Sequence, residues 1–263
     1  MSAMNAVSAA PRVEDDDLFR YALRLGDSSL MLGQRLGEWV GHSPALEEDL
    51  GLANIALDLI GQARLLLSYA GEIEGRGRGE DEMAFLREQG EYFNPTLVEQ
   101  PNGDFGQTIV RQVLMDAFQL ELYERLTTSR DQRLADIAAK AVKETRYHLR
   151  YSGGWLVRLG DGTEESHARV QSALDSLWAY TVELFVEDEV DRALTERGIA
   201  PRMAEVQKAW SSRIDALLAE STLTRPRDRP FSWLGKHGQH SEHLGYMLAE
   251  MQYLQRTYPG ARW

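Results

Sequence analysis

Cysteine is absent from the 263 residues. This excludes disulfides, iron–sulfur clusters and thiolate metal sites held by this chain. Proline is scarce, with 8 in all. Several prolines fall between helical patterns, and β-branched runs are sparse, which points away from strands. Basic residues are the minority: 29 Lys and Arg against 41 Asp and Glu give a formal net charge of -12. Such a surface excludes a phosphate-bearing nucleic acid as partner and suits a positively charged protein. No uninterrupted apolar run approaches the ~20 residues needed to cross a bilayer. Met1 to Val13 is Ala- and Ser-rich, with no basic start and no apolar stretch, and does not read as a secretory signal. Residues 1–16 are expected to form a disordered tail, residues 17–263 a single domain, and the protein is expected to be cytoplasmic. There is no P-loop, no Gly-x-Gly-x-x-Gly after a strand and no Gly-x-Ser-x-Gly.

What is present is a helical pattern. Hydrophobic residues make up 43% of the chain, enough for a sizeable core. The spacing predicts four long helices over about 17–40, 44–72, 104–128 and 130–159. Gly41 ends the first, and Ser43 with Pro44 opens the second as N-cap and first helical residue. Asp104 caps the third, and Ser129 with Gln132 has capping-box spacing for the fourth. The short breaks after Gly41 and at Ser129 make two helical hairpins. The Gly-rich link from Gly71 to Gly103 must cross over between them. Two hairpins joined by one long crossover is ferritin-like connectivity. Thr163 caps a further helix to about Glu187, Pro201 restarts one to about Ala219, and a last helix spans about Glu242 to Arg256. The fold class is all-α: a ferritin-like bundle of four long antiparallel helices with additional C-terminal helices.

Di-iron enzymes of this architecture place one Glu on each of two helices and Glu-x-x-His on each of the other two. Residues three apart share a helix face, so both reach one metal. Here the first and third helices offer Asp27 and Asp116. The second offers Asp58 followed by Gly61, the fourth Glu144 followed by Tyr147. Gln34 or Glu38, and Glu121 or Glu124, are rivals for the first and third. Four carboxylates stand near ligand depth while both histidines are replaced. The expectation is a vestigial cluster that binds no metal, with no catalytic or cofactor-binding residue in this chain. Buried carboxylates need a compensating cation. Lys140, one turn before Glu144, is the first candidate to fill the metals' space, ahead of Lys143, Arg64 and Arg111. His148 lies nearby, and a lone histidine there is more often a hydrogen-bonded group than a ligand. His237, His240 and His243 have ligand-like spacing but span a loop, and read as a polar docking surface. Trp155, Trp178, Tyr180 and Phe185 read as core. The C-terminal stripe of Leu244, Met247, Met251 and Leu254, and the loop from Phe231 to Gly235, are candidate partner contacts.

Several long stretches resemble one family. They are Tyr21 to Asp27, Gln34 to Trp39, Leu52 to Arg64 (LANIALDLIGQAR), Val98 to Phe105 (VEQPNGDF), Lys140 to Thr163, and His240 to Trp263. Together they resemble the C subunits of ring-1,2-phenylacetyl-CoA epoxidases, from about Tyr21 to the end of the chain. The resemblance implies a multicomponent monooxygenase of phenylacetate degradation that uses O2 and NADPH. It implies a related ferritin-like A subunit holding a di-iron centre and the substrate, a small B subunit, and a reductase subunit with flavin and iron–sulfur groups. It implies that this chain is a structural, non-catalytic member of a hetero-oligomer, with no membrane or nucleic acid involved. Replacement of the ligand histidines by Gly61 and Tyr147 agrees with that role. The reading from a different class is an independent di-iron carboxylate oxygenase acting through its own bundle site.

Overall fold

The computed structural model describes residues 15–232 and 234–261. Asp15 caps the first helix, its carboxylate accepting from Leu18 N at 3.1 Å, so Asp15 and Asp16, expected in the tail, belong to the start of this helix. Residues 1–14, most of that tail, lie outside the described residues.

Four long helices form the body: α1 (Asp16–Gly37), α2 (Leu46–Glu74), α4 (Phe105–Leu126) and α5 (Gln132–Gly160). α1 packs along α2, and α4 along α5. The crossover between the hairpins holds α3 (Glu80–Phe85) and two 3-10 turns, at Gln89–Glu91 and Thr96–Glu99. Outside the bundle lie α6 (Glu164–Leu177), a 3-10 stretch at Trp178–Phe185, α7 (Glu189–Glu196), α8 (Met203–Glu220), α9 (Glu242–Met251) and α10 (Tyr253–Thr257).

Glycine sets how closely the first hairpin closes. A Cβ on Gly26 would come within 2.8 Å of Leu67, and one on Gly33 within 3.3 Å of the Ala56 carbonyl. The two glycines are seven residues apart, so they share one face and let α1 lie against α2 along its length. α2 is long and apolar enough, by length and composition, to cross a membrane. Its buried face, Leu52, Ile55, Leu59, Leu66 and Leu67, is part of the protein core.

Some boundaries differ from expectation. α2 starts at Leu46 with Ala45 before it, so Ser43 and Pro44 belong to the preceding turn. Asp131, not Ser129, caps α5, accepting from Leu134 N at 2.8 Å. The Ser129 hydroxyl instead donates to the Ile199 carbonyl and ties the α4–α5 turn to the outer layer. The helix expected from Thr163 to Glu187 turns 3-10 at Trp178. There Trp178, Phe185 and Trp210 pack ring on ring, with centroids 5.6 and 5.1 Å apart.

Candidate functional site

The four carboxylates do not share one site. Asp27 is fully buried and faces the crossover, where the Arg87 guanidinium binds both of its oxygens and Phe93 N donates to it at 2.9 Å. Arg87 lies over the Tyr92 ring at 4.1 Å and also donates to the Glu91 carbonyl at 2.7 Å. Asp27 is therefore neutralised by the link between the hairpins. Glu144 sits at the α2–α5 rim, 3.1 Å from Lys140 Nζ and 3.0 Å from Gln62 Nε2. The Lys140 side chain is 56% exposed, and its ammonium lies 3.9 Å from where a Cβ on Gly61 would stand. The lysine expected in the metals' space holds a rim carboxylate instead. Asp58, 40% exposed, meets His148 Nε2 at 3.0 Å. Asp116 alone stays inside, accepting from Gln112 and Ser152 at 2.7 Å each. Burial pushes its carboxyl up to about 6, against the opposing pull of His148 and those two hydrogen bonds.

The inward register lies one residue further on than the sequence pattern suggests. One residue turns a helix by about 100°. On α5 the buried pair three apart is Thr145 and His148, both fully buried, while Glu144 and Tyr147 face outward. On α2 it is Leu59 and Gln62, not Asp58 and Gly61. An imidazole thus does stand at one inward position, and the residue three before it is threonine. α4 adds Gln112, Asp116 and Gln119 on one face, and α1 adds Ser29, which meets Tyr123 OH at 3.4 Å and Gln119 Nε2 at 3.5 Å. A di-iron pair takes several inward carboxylates and two imidazoles. This interior offers one carboxylate and one imidazole, so the donor set does not fit that group. Among the described residues no three of His, Cys, Asp and Glu are grouped as a metal site. The rivals are engaged elsewhere: Glu38 with Arg35, Glu121 with Arg125 and Arg213, and Glu124 with Arg146. Arg111 donates to the Gln100 carbonyl and Asn102, and Arg64 pairs with Glu80.

The interior is polar beyond what its own hydrogen bonds satisfy. Gln62 Oε1, Gln112 Oε1, Gln119 Oε1, Thr145 Oγ1 and His148 Nδ1 are buried without a protein partner. Each such atom left dry costs about 1–3 kcal/mol. Five together would rival the ~5–15 kcal/mol that holds a whole domain folded.

On the outside, α2 presents an apolar stripe. Leu46, Leu50, Leu57 and Ile60 are 71%, 57%, 66% and 37% exposed. Their spacing of four, seven and three puts them on one helix face. On the neighbouring α5, Tyr147 is exposed too, with exposed Lys143 and Arg150 about one turn to either side of it.

The whole chain, residues 1–263, matches the family model described as phenylacetic acid catabolic protein. It is 54% identical over 248 residues, 94% of this chain and 100% of the relative, to the C subunit of 1,2-phenylacetyl-CoA epoxidase from Escherichia coli (strain K12). The chain belongs to the phenylacetic acid catabolic protein family. Among solved structures it is similar to a Synechococcus protein with aldehyde deformylating oxidase activity. That likeness has a TM-score of 0.55 at 16% identity, over 79% of this chain and 92% of that one, and it supports the ferritin-like fold.

Two expected surfaces of this family member are taken up internally. Leu244 and Met247 are buried against the crossover turns, while Leu254 remains exposed. His240 meets the Glu99 carboxylate at 2.6 Å and the Tyr92 carbonyl at 2.8 Å, and His237 meets Asp188 at 2.8 Å. These histidines fasten the C-terminal segment down. In the loop from Phe231 to Gly235, Trp233 lies outside the described residues. Arg87, Gln62, Gln112, Gln119 and Thr145 do not stand out in the sequence as site residues. The polar ladder 112, 116, 119, 123 at helical spacing on α4 is the signal that marks part of this set.

Proposed function

We propose that this chain is a non-catalytic subunit of a phenylacetyl-CoA-epoxidising oxygenase, pairing with and stabilising a related di-iron catalytic subunit in phenylacetate catabolism. The observation that carries the reading is the inward register: Leu59, Gln62 and Thr145 stand where an enzyme of this fold places acids and a histidine. The iron then belongs to the partner, and flavin and iron–sulfur groups to a reductase subunit. A small B subunit joins the assembly.

The α2 stripe is the seat for the catalytic partner. Four large apolar side chains on one helix form a docking face rather than scattered surface hydrophobics. Exposed Lys143 and Arg150 on the neighbouring α5 favour an acidic patch on the partner, itself a helical bundle.

Metal counted for each polypeptide of the purified complex tests the reading. Iron is expected with the partner alone, and a stoichiometric iron pair in this chain overturns the assignment. Leu50→Asp with Leu57→Asp is expected to leave the helical signal of this chain intact and to abolish co-purification with the catalytic subunit. Undiminished co-purification moves the interface elsewhere.

A further inference from the structure

We propose that the centre of the bundle binds a file of ordered waters at the depth where ferritin-like enzymes hold metal, and that His148 joins this file to Asp58 on the α2–α5 face, passing protons between Asp116 and that face.

The argument starts from the five buried atoms without a protein partner. For Gln62, Gln112 and His148 the orientation is fixed by the carboxylate at the other end of the side chain. Gln62 Nε2 donates to Glu144 and Gln112 Nε2 to Asp116, so an amide flip would set oxygen against carboxylate. Their Oε1 atoms must accept. Gln119 Nε2 lies towards Ser29, leaving its Oε1 as a third acceptor. His148 Nε2 faces the Asp58 carboxylate, an acceptor, and so carries the proton. The neutral ring then offers Nδ1 as a fourth acceptor. The Asp116 carboxyl lies on the same α4 face, and Ser152 ties it to α5 one turn beyond His148. The bonds Gln119–Ser29, Asp116–Ser152 and Gln62–Glu144 join α1, α2, α4 and α5 through one polar seam. A seam of neutral acceptors with one carboxyl asks for small donors, and buried water with about three bonds each meets that need.

The outlet follows from His148. Its side chain is fully buried while Asp58 is 40% exposed, so the ring is the bridge from interior to surface. Asp116 gives its proton to the file as a file water gives one to Nδ1 and Nε2 gives its proton to Asp58. An O–H bond breaks at Asp116 and one forms at Asp58, while one N–H bond forms and one breaks on the ring, so no water is left as hydroxide. The same chain run backwards reprotonates Asp116 and restores the tautomer.

Three measurements on the full chain test this. In a high-resolution crystal structure, ordered waters are expected at hydrogen-bonding distance from Gln62 Oε1, Thr145 Oγ1 and His148 Nδ1. A dry interior, or a cation at the shorter distances of metal coordination, overturns the proposal. Thr145→Val removes one orphan atom at almost constant volume. A dry seam would make this variant melt higher than wild type, which also overturns the proposal, whereas a hydrated seam leaves its melting temperature equal or lower. For the proton path, the infrared band of the protonated Asp116 carboxyl is assigned by its loss in Asp116→Asn. The loss of that band after a jump from about pH 5 to about pH 8, either side of the Asp116 value of about 6, is expected to slow by more than an order of magnitude in His148→Gln. Unchanged or faster loss overturns the relay. None of the three uses a second polypeptide, so all stand apart from the pairing proposed above.

Discussion

Arg87 is the residue on which the crossover turns. It is 2% exposed and is the cation that neutralises fully buried Asp27. Removing one member of such a pair strands the other charge, at about 3–5 kcal/mol. Arg87→Met is therefore expected to lower the urea midpoint sharply, and Arg87→Met with Asp27→Asn to recover part of the loss. Glu183 makes a pH prediction. Burial raises its carboxyl from 4.5 to about 7, against hydrogen bonds from Thr96 and Gly235. The folded state then holds a proton that the unfolded chain releases, so this group's contribution is fully present below pH 4.5 and falls as pH rises towards 7. Glu183→Gln, which keeps the neutral form at every pH, is expected to gain in stability on wild type as pH rises across that window, read from urea titrations at successive pH values. At this scale the sequence is only half legible. Asp27 and Asp116 stand out as acids in apolar helices and are indeed buried. The phase of α2 and α5 is harder to read because Asp58 and Glu144 point to the wrong side of each helix, and neutral Gln62 and Thr145 carry no charge to mark the right one.

At the scale of the element, caps and close approaches separate two kinds of cost. The Asp104 carboxylate accepts from Gln107 N at 2.9 Å and closes the start of α4. Asp104→Ala is expected to cost about 1 kcal/mol without altering the fold. Gly235 is different: a Cβ there would lie 1.9 Å from the Asn94 carbonyl oxygen. Gly235→Ala must push the C-terminal segment off the crossover, at roughly 1–3 kcal/mol or more. Tryptophan fluorescence against urea ranks the two, with Gly235→Ala the larger loss. Helix caps are local signals, which is why Asp104 and Thr163 can be read directly from sequence. The 3-10 break at Trp178 cannot, because it answers to Trp210, 32 residues away. The burial of Leu244 and Met247 likewise depends on where the crossover lies.

For the whole molecule, connectivity is the most legible property, since two short breaks and one long link leave few ways to arrange four helices. On the proposed reading another chain covers the outer face, and the sequence carries only the exposed α2 stripe as its sign. The stripe and its basic edge act on different steps of association. Apolar burial in the docked state slows dissociation, whereas charges at a rim steer the encounter. Lys143 and Arg150 are exposed in a chain of net charge -12, so they form a local basic edge on an acidic protein. Lys143→Gln with Arg150→Gln is expected to slow association with the catalytic subunit several-fold at low salt and to flatten its salt dependence, with dissociation little changed. Leu57→Asp is expected to do the reverse, speeding dissociation while leaving the low-salt association rate nearly intact. Surface plasmon resonance across a range of ionic strength separates the two. If the basic variant changes dissociation alone, Lys143 and Arg150 lie inside the contact and the stripe is not its centre.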